Sequence, residues 1–216
     1  MIKEAFKNGW QKFKENWKLL VVVQIISIIL SAIFNSLTEN YPLVIIPTVI
    51  LGVIMGIGIT KIYLKVFDGE SASIKDLFLH YKLFLKFIFA QFVSGLVGIV
   101  AVIPLILATL LPVLINNNMT LIVGLVLGSA GLVFLIHVSI RLMFVQYLVV
   151  DKQLGPVAAV KGSFAVTKGH VLSLLGFGVV SFLVVILGVL ALFVGLFVAI
   201  PVISLATVFV YREFSK

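Results

Sequence analysis

The 216-residue chain is 62% apolar and only 11% charged, whereas a soluble domain carries about a quarter charged residues; this excludes an ordinary soluble globule. Its formal charge of +8 arises from 16 Lys and Arg against 8 Asp and Glu, but the cations bracket apolar stretches instead of forming a basic domain, so nucleic acid is not the expected partner. With no cysteine, disulfides, thiolate metal sites and thiol chemistry are excluded.

The chain opens on an amphipathic pattern. Ile2, Phe6, Trp10, Phe13 and Trp17 recur at spacings of three and four, with Lys3, Lys7, Lys14 and Lys18 elsewhere on the wheel. Glu4 and Glu15 interrupt the cationic start and no small-residue cleavage site follows, so the segment reads as an interfacial helix and not as a cleavable signal peptide.

Between Lys18 and Lys61 the one charged residue is Glu39, and the polar stretch 35–42 surrounds it. This predicts a first hairpin of two spans, about 19–38 and 43–64. Within it, Gln24 is expected to make an interhelical hydrogen bond, and Gly52 with Gly56 forms a small-xxx-small face.

A second amphipathic segment has Ile74, Leu77, Phe78 and Tyr81 with Lys75 and Lys82. No charged residue lies between Lys86 and Arg141, which predicts spans over 86–110 and 119–141 with an apex at 112–118. Gln91, Gln146 and the pair Gly124 and Gly128 are read as packing residues. His137 and Arg141 stand four apart, on one face of the fourth span, and form a candidate polar intramembrane site in which His137 faces other helices.

The third amphipathic segment has Val157, Val160 and Phe164 with Lys161 and Lys168. The uncharged arm from Lys168 to Arg212 would measure on the order of 60 Å as one helix, about twice the ~30 Å hydrocarbon thickness, so it must double back. Spans over 171–192 and 195–211 are expected.

These elements describe an all-α, six-helix transmembrane bundle forming one integral membrane domain, with a possible threefold repeat over 1–67, 68–151 and 152–216. In each repeat an aromatic precedes a lysine by four: Trp10 and Lys14, Phe78 and Lys82, Phe164 and Lys168. Pro47 follows Lys14 at the separation by which Pro201 follows Lys168, each after isoleucine (Ile46, Ile200); Pro104 and Pro112 of the middle repeat are out of register.

The stretch 141–168, through Val149, Val150, Asp151, Gly155, Pro156, Ala158, Ala159, Ser163 and Lys168, then Gly169, resembles a group of bacterial and archaeal multi-pass proteins. That group includes the membrane domain attached to some glycerophosphodiester phosphodiesterases. The segment 195–211, with Ile200, Pro201, Ala206 and Tyr211, is similar to that group's last span. The resemblance implies six spans in a prokaryotic plasma (inner) membrane and, without the phosphodiesterase domain, no hydrolytic activity.

No phosphate-binding loop or zinc-protease motif occurs, and neither His80 nor His170 is expected to have a nearby partner of ligand type. The Asn118-Met119-Thr120 acceptor pattern is expected at chance frequency and means nothing if the source is prokaryotic. The expectation is a non-enzymatic protein without cofactor that organises membrane lipid or a membrane partner, with Lys14, Lys82 and Lys168 contacting anionic lipid. The alternative is a small transporter or channel using His137 and Arg141.

All sixteen Lys and Arg fall on one side of the three hairpins, which the positive-inside rule makes cytoplasmic. Reporter fusions at Glu39 and Asn117 should therefore read as external and those at Asp68, Lys152 and Lys216 as cytoplasmic. An external reading at Lys216 would overturn this topology.

Overall fold

The computed structural model describes residues 1–115 and 117–215, and of Asn40, Pro42 and Asn118 the backbone alone. The positions Asn116 and Lys216 of the expectations above lie outside the described residues. No strand occurs among the described residues, and six helical segments are long and apolar enough to cross a membrane.

The helices in order are α1 (Ile2–Asn40), α2 (Ile45–Asp68), α3 (Asp76–Leu79), α4 (Phe84–Ile115), α5 (Asn118–Leu142), α6 (Val145–Asp151), α7 (Pro156–Val166), α8 (Val171–Leu190) and α9 (Leu196–Phe214). Long helices follow from the solvent: hydrocarbon offers no partner for a backbone N–H or C=O, so each span must satisfy its own. The three expected hairpins are present as α1–α2, α4–α5 and α8–α9.

The amphipathic segments do not form three equal interfacial helices. The first is continuous with its span in α1 and is set off by one non-helical residue, Asn16, at φ −126° and ψ 17°. There the Asn16 side-chain amide donates to the Lys12 carbonyl at 3.2 Å, the local competition with the helix ladder that asparagine is suited to make. The second shrinks to the four-residue α3 and a 3-10 turn, Tyr81–Leu83. The third is the eleven-residue α7, opened by Pro156 at its first position.

Packing is concentrated at the basic ends of the hairpins. Ala5, Phe13 and Leu20 of α1, Ile57 to Val66 of α2, Leu77, the α6 run Val145 to Val150, and Leu205 to Tyr211 of α9 share one buried cluster. Away from it the apolar side chains are exposed outward, as at Ile29, Leu43, Val113 and Leu125, where acyl chains replace protein neighbours.

Helix association in lipid gains little from hydrophobicity and depends on close backbone approach. A Cβ on Gly9 would sit 2.7 Å from the Val202 carbonyl oxygen, so α1 and α9 cross in near-backbone contact. One on Gly124 would meet Ala108 O at 2.7 Å, and Gly128 faces Ala108 Cβ at 3.6 Å, so this pair packs α5 on α4 within the chain. Gly52 and Gly56 have nothing within 4 Å. The tightest site is Gly58, where a Cβ would collide with the backbone of Leu77 in α3.

Gly58→Ala should therefore destabilise the protein by roughly 1–3 kcal/mol, the range for overpacking a close contact. Gly52→Ala should cost nothing measurable. Thermal unfolding of the two variants in one detergent checks the contrast, and equal melting would refute the assigned contact.

Candidate functional site

Two polar features stand out against the apolar background, one at the basic ends of the helices and one within the spans. The first is centred on Arg212 near the end of α9. Its Nη2 donates to Asp68 Oδ2 at 2.6 Å and its Nε to Asp68 Oδ1 at 3.1 Å. Its Nη1 donates to Asp151 Oδ2 at 2.6 Å and Nη2 to Asp151 Oδ1 at 3.0 Å. One planar guanidinium thus holds two carboxylates in a fork that an ammonium could not reproduce. The Tyr211 hydroxyl donates to Asp151 Oδ2 at 2.8 Å, and its ring stacks on Tyr147 with centroids 5.5 Å apart. Asp68 ends α2, Asp151 ends α6 and Arg212 lies in the last turn of α9, so the clamp joins the basic ends of all three hairpin units.

Beside it, Asp76 is buried and accepts from Lys65 Nζ at 2.7 Å and from the Ser73 backbone N–H at 2.8 Å. This fastens the loop 69–75 to α2. His80 lies 3.7 Å from Asp76, a neighbour that the sequence reading did not assign to it. His170 instead stacks on Phe214 at 4.1 Å. No group of three metal-ligating side chains occurs among the described residues.

The second feature is a groove of about 540 Å³ between α1, α2 and α9. Gln24, Ser27, Ser31 and Asn35 of α1 line it at spacings of three and four, which puts them on one helix face. Tyr63 and Ser204 together line its basic end. Ser31 and Asn35 are exposed, so the groove opens sideways along the span. Ser27 spends its hydroxyl on the Val23 carbonyl at 2.7 Å. Ser31 and Asn35 make no side-chain hydrogen bond among the described residues, and Gln24 makes only a long one, Nε2 to Leu196 O at 3.5 Å. Gln24 Oε1 is buried without a partner, a state that costs roughly 1–3 kcal/mol if nothing fills it.

A larger groove of about 810 Å³ lies between α4 and α5, lined by Ala108, Pro112, Gly124 and Leu125 among others. Its hydroxyls are already used: Thr109 bonds to Ile106 O and Ser129 to Val126 O, both at 2.9 Å. It offers shape without polar recognition.

Of the residues singled out from sequence, Lys14, Lys82 and Lys168 are all exposed. Lys14 lies over the Trp10 ring at 6.0 Å, but Phe164 is covered by Arg141 at 5.5 Å and Lys82 belongs to the 3-10 turn. The expectation that His137 faces other helices is corrected: its side chain is on the exposed perimeter of α5. Arg141 turns away from the span towards α7, where its Nη1 donates to Phe164 O at 2.9 Å and Thr167 Oγ1 at 3.3 Å. Ser163 Oγ in turn donates to Arg141 O at 2.6 Å. The structure therefore does not bring His137 and Arg141 into one site, because the end of α7 supplies the guanidinium with a carbonyl and a hydroxyl acceptor, Phe164 O and Thr167 Oγ1.

The Arg212 clamp and the groove were not recognised from sequence. The groove had a signal in the 24, 27, 31, 35 periodicity. The clamp had none, since its three charged members are separated by long apolar arms. No family model, curated protein or solved structure matches the chain.

Arg212→Lys should retain the charge yet lose the double fork, costing roughly 2 kcal/mol for lost hydrogen bonds between charged groups. Arg212→Ala should cost more, because two carboxylates then face each other uncompensated. The order wild type, Lys, Ala in detergent melting temperature checks this.

Proposed function

We propose that this chain is a non-enzymatic membrane protein that holds a membrane amphiphile in the groove between α1, α2 and α9. The unpartnered Gln24 Oε1 carries the reading, because a buried amide oxygen among open hydroxyl and amide groups calls for a donor from outside the chain. The lining offers amides, hydroxyls and the Tyr63 phenol, with no carboxylate or cation. The fitting head group is therefore uncharged and rich in hydroxyl or ester groups, such as a glycerol head, with the acyl chains leaving through the exposed side at Ile28 and Ser31.

Transport is the second reading. It is favoured by the polar stripe, which runs eleven residues from Gln24 to Asn35, about 16 Å along the helix and half of the ~30 Å hydrocarbon. Passage would require the basic end at Tyr63 and Ser204 to open. Kinship with the prokaryotic multi-pass group and a plasma-membrane setting with cytoplasmic termini remain part of this proposal.

A photoreactive residue at Ser31 should capture a neutral lipid from native membranes, and Gln24→Leu should reduce capture about tenfold, the equivalent of one hydrogen bond of ~1.4 kcal/mol. Changing Lys14, Lys82 and Lys168 together to Gln should leave that capture unaltered while lowering co-purified anionic lipid, each lysine contributing ~1 kcal/mol to attraction for an anionic leaflet. Mass spectrometry of the bound lipid reads both arms. Capture that is indifferent to Gln24 would overturn the groove, and unchanged anionic lipid would leave the lysines an anchoring role alone.

A further inference from the structure

The third hairpin is long enough to cross a bilayer, yet its neighbours place it elsewhere. Its base, at His170 and Phe214, lies beside Met1 and Glu4 of α1. Further along, Ile2 Cδ1 is 3.2 Å from the Cβ position of Gly176, the Phe6 and Phe177 rings are 5.4 Å apart, and Gly9 meets Val202. Near the tip, Trp10 lines one pocket with Leu187, Gly188 and Gly195. The first ten residues of α1 therefore pack along the hairpin from its base as far as Val202 of α9, with Trp10 reaching on to Gly188 and Gly195.

That stretch carries Lys3, Glu4 and Lys7 with exposed side chains, and Lys12, Lys14 and Lys18 follow it. A hairpin crossing the bilayer would draw these charges through hydrocarbon, where each costs on the order of 2.5–3.5 kcal/mol at the centre. The far end is fixed independently: Gln24 reaches Leu196 O, the first residue of α9. Gln24 is six residues beyond Lys18, about 9 Å of helix, against ~30 Å of hydrocarbon.

The tip has the chemistry of a turn that stays in lipid. The first two hairpins turn through polar residues, including Glu39 in one and Asn117 in the other, whereas 191–195 reads Ala-Leu-Phe-Val-Gly. Leu192, Phe193 and Val194 are 85%, 65% and 69% exposed. Leu192 and Phe193 adopt left-handed φ values of 54° and 62°, and three of the five N–H groups of 191–195 are bonded back along the chain, Ala191 to Leu187 O, Phe193 to Val189 O and Gly195 to Ala191 O. Apolar side chains outside suit a loop in hydrocarbon, and the N–H groups bonded within the turn lower the cost of placing it there.

We propose that α8–α9 is a re-entrant hairpin: it enters and leaves through the leaflet on the lysine-bearing side, and Leu192, Phe193 and Val194 are covered by the acyl chains of that leaflet. The chain then crosses the membrane four times, with both ends still on one side.

Because the chain has no cysteine, single-cysteine labelling is direct. Val194→Cys, Glu39→Cys and Asn117→Cys would be spin-labelled and reconstituted in oriented proteoliposomes, with a membrane-impermeant nickel chelate added on the side opposite the lysines and oxygen used for depth. Labels at 39 and 117 should collide strongly with the chelate. The label at 194 should be protected, with a depth between the lysine-side phosphates and the bilayer centre. Collision at 194 comparable to that at 39, or a depth at or beyond the bilayer centre, would overturn the proposal. Leu192→Cys repeats the measurement if Val194→Cys shifts the melting temperature.

Discussion

Arg212 binds Asp68 and Asp151 with one guanidinium, and the packing of the basic end is arranged around that bond. Each carboxylate ends a different helix, so the clamp determines which ends meet. Tyr211, fully buried, extends the same arrangement inward: its hydroxyl serves Asp151 while its ring packs in a three-ring cluster with those of Phe144 and Tyr147. Charged hydrogen bonds and aromatic packing coincide at the one end where water and head groups can solvate the remaining charge. Beyond this end the hydrophobic effect loses its hold, because lipid is as apolar as leucine, and the helices turn their side chains to the membrane.

The contrast between the two grooves follows from the same solvent. In hydrocarbon a serine or threonine returns its hydroxyl to the preceding turn, as Thr109 and Ser129 do, and such a residue offers little to a ligand. The α1 groove differs because a glutamine and an asparagine accompany its serines, and a primary amide cannot satisfy all its donors and acceptors on its own helix. What distinguishes a binding face from a packing face here is the number of polar atoms left over.

The N-terminal part of α1 combines roles that would otherwise require separate elements. Its lysines and Trp10 suit the head-group boundary, while Ala5, Gly9 and Phe13 on the opposite face pack on the hairpin α8–α9 and the core. The shorter counterparts α3 and α7 are instead tied down by single buried polar groups, Asp76 in one and Ser163 in the other.

Hydropathy and charge in the sequence determined the helical membrane class, the six long apolar helices and the positions of the hairpin turns, because hydrocarbon thickness and the cost of burying charge act locally along the chain. They also located the amphipathic segments, though not their unequal lengths, which follow from the non-helical backbone at Asn16 in the first and at His80 in the second. The packing of Gly124 and Gly128 was legible as a motif, while that of Gly9 and Gly58 was not, since only the tertiary structure brings Val202 and Leu77 against them. The meeting of Asp68, Asp151 and Arg212, the turning of Arg141 to α7, the outward position of His137 and the alignment of α8–α9 with the start of α1 were likewise decided in three dimensions. Periodicity records which face of a helix is apolar or polar, but the partner of that face is set by how helices far apart in sequence pack.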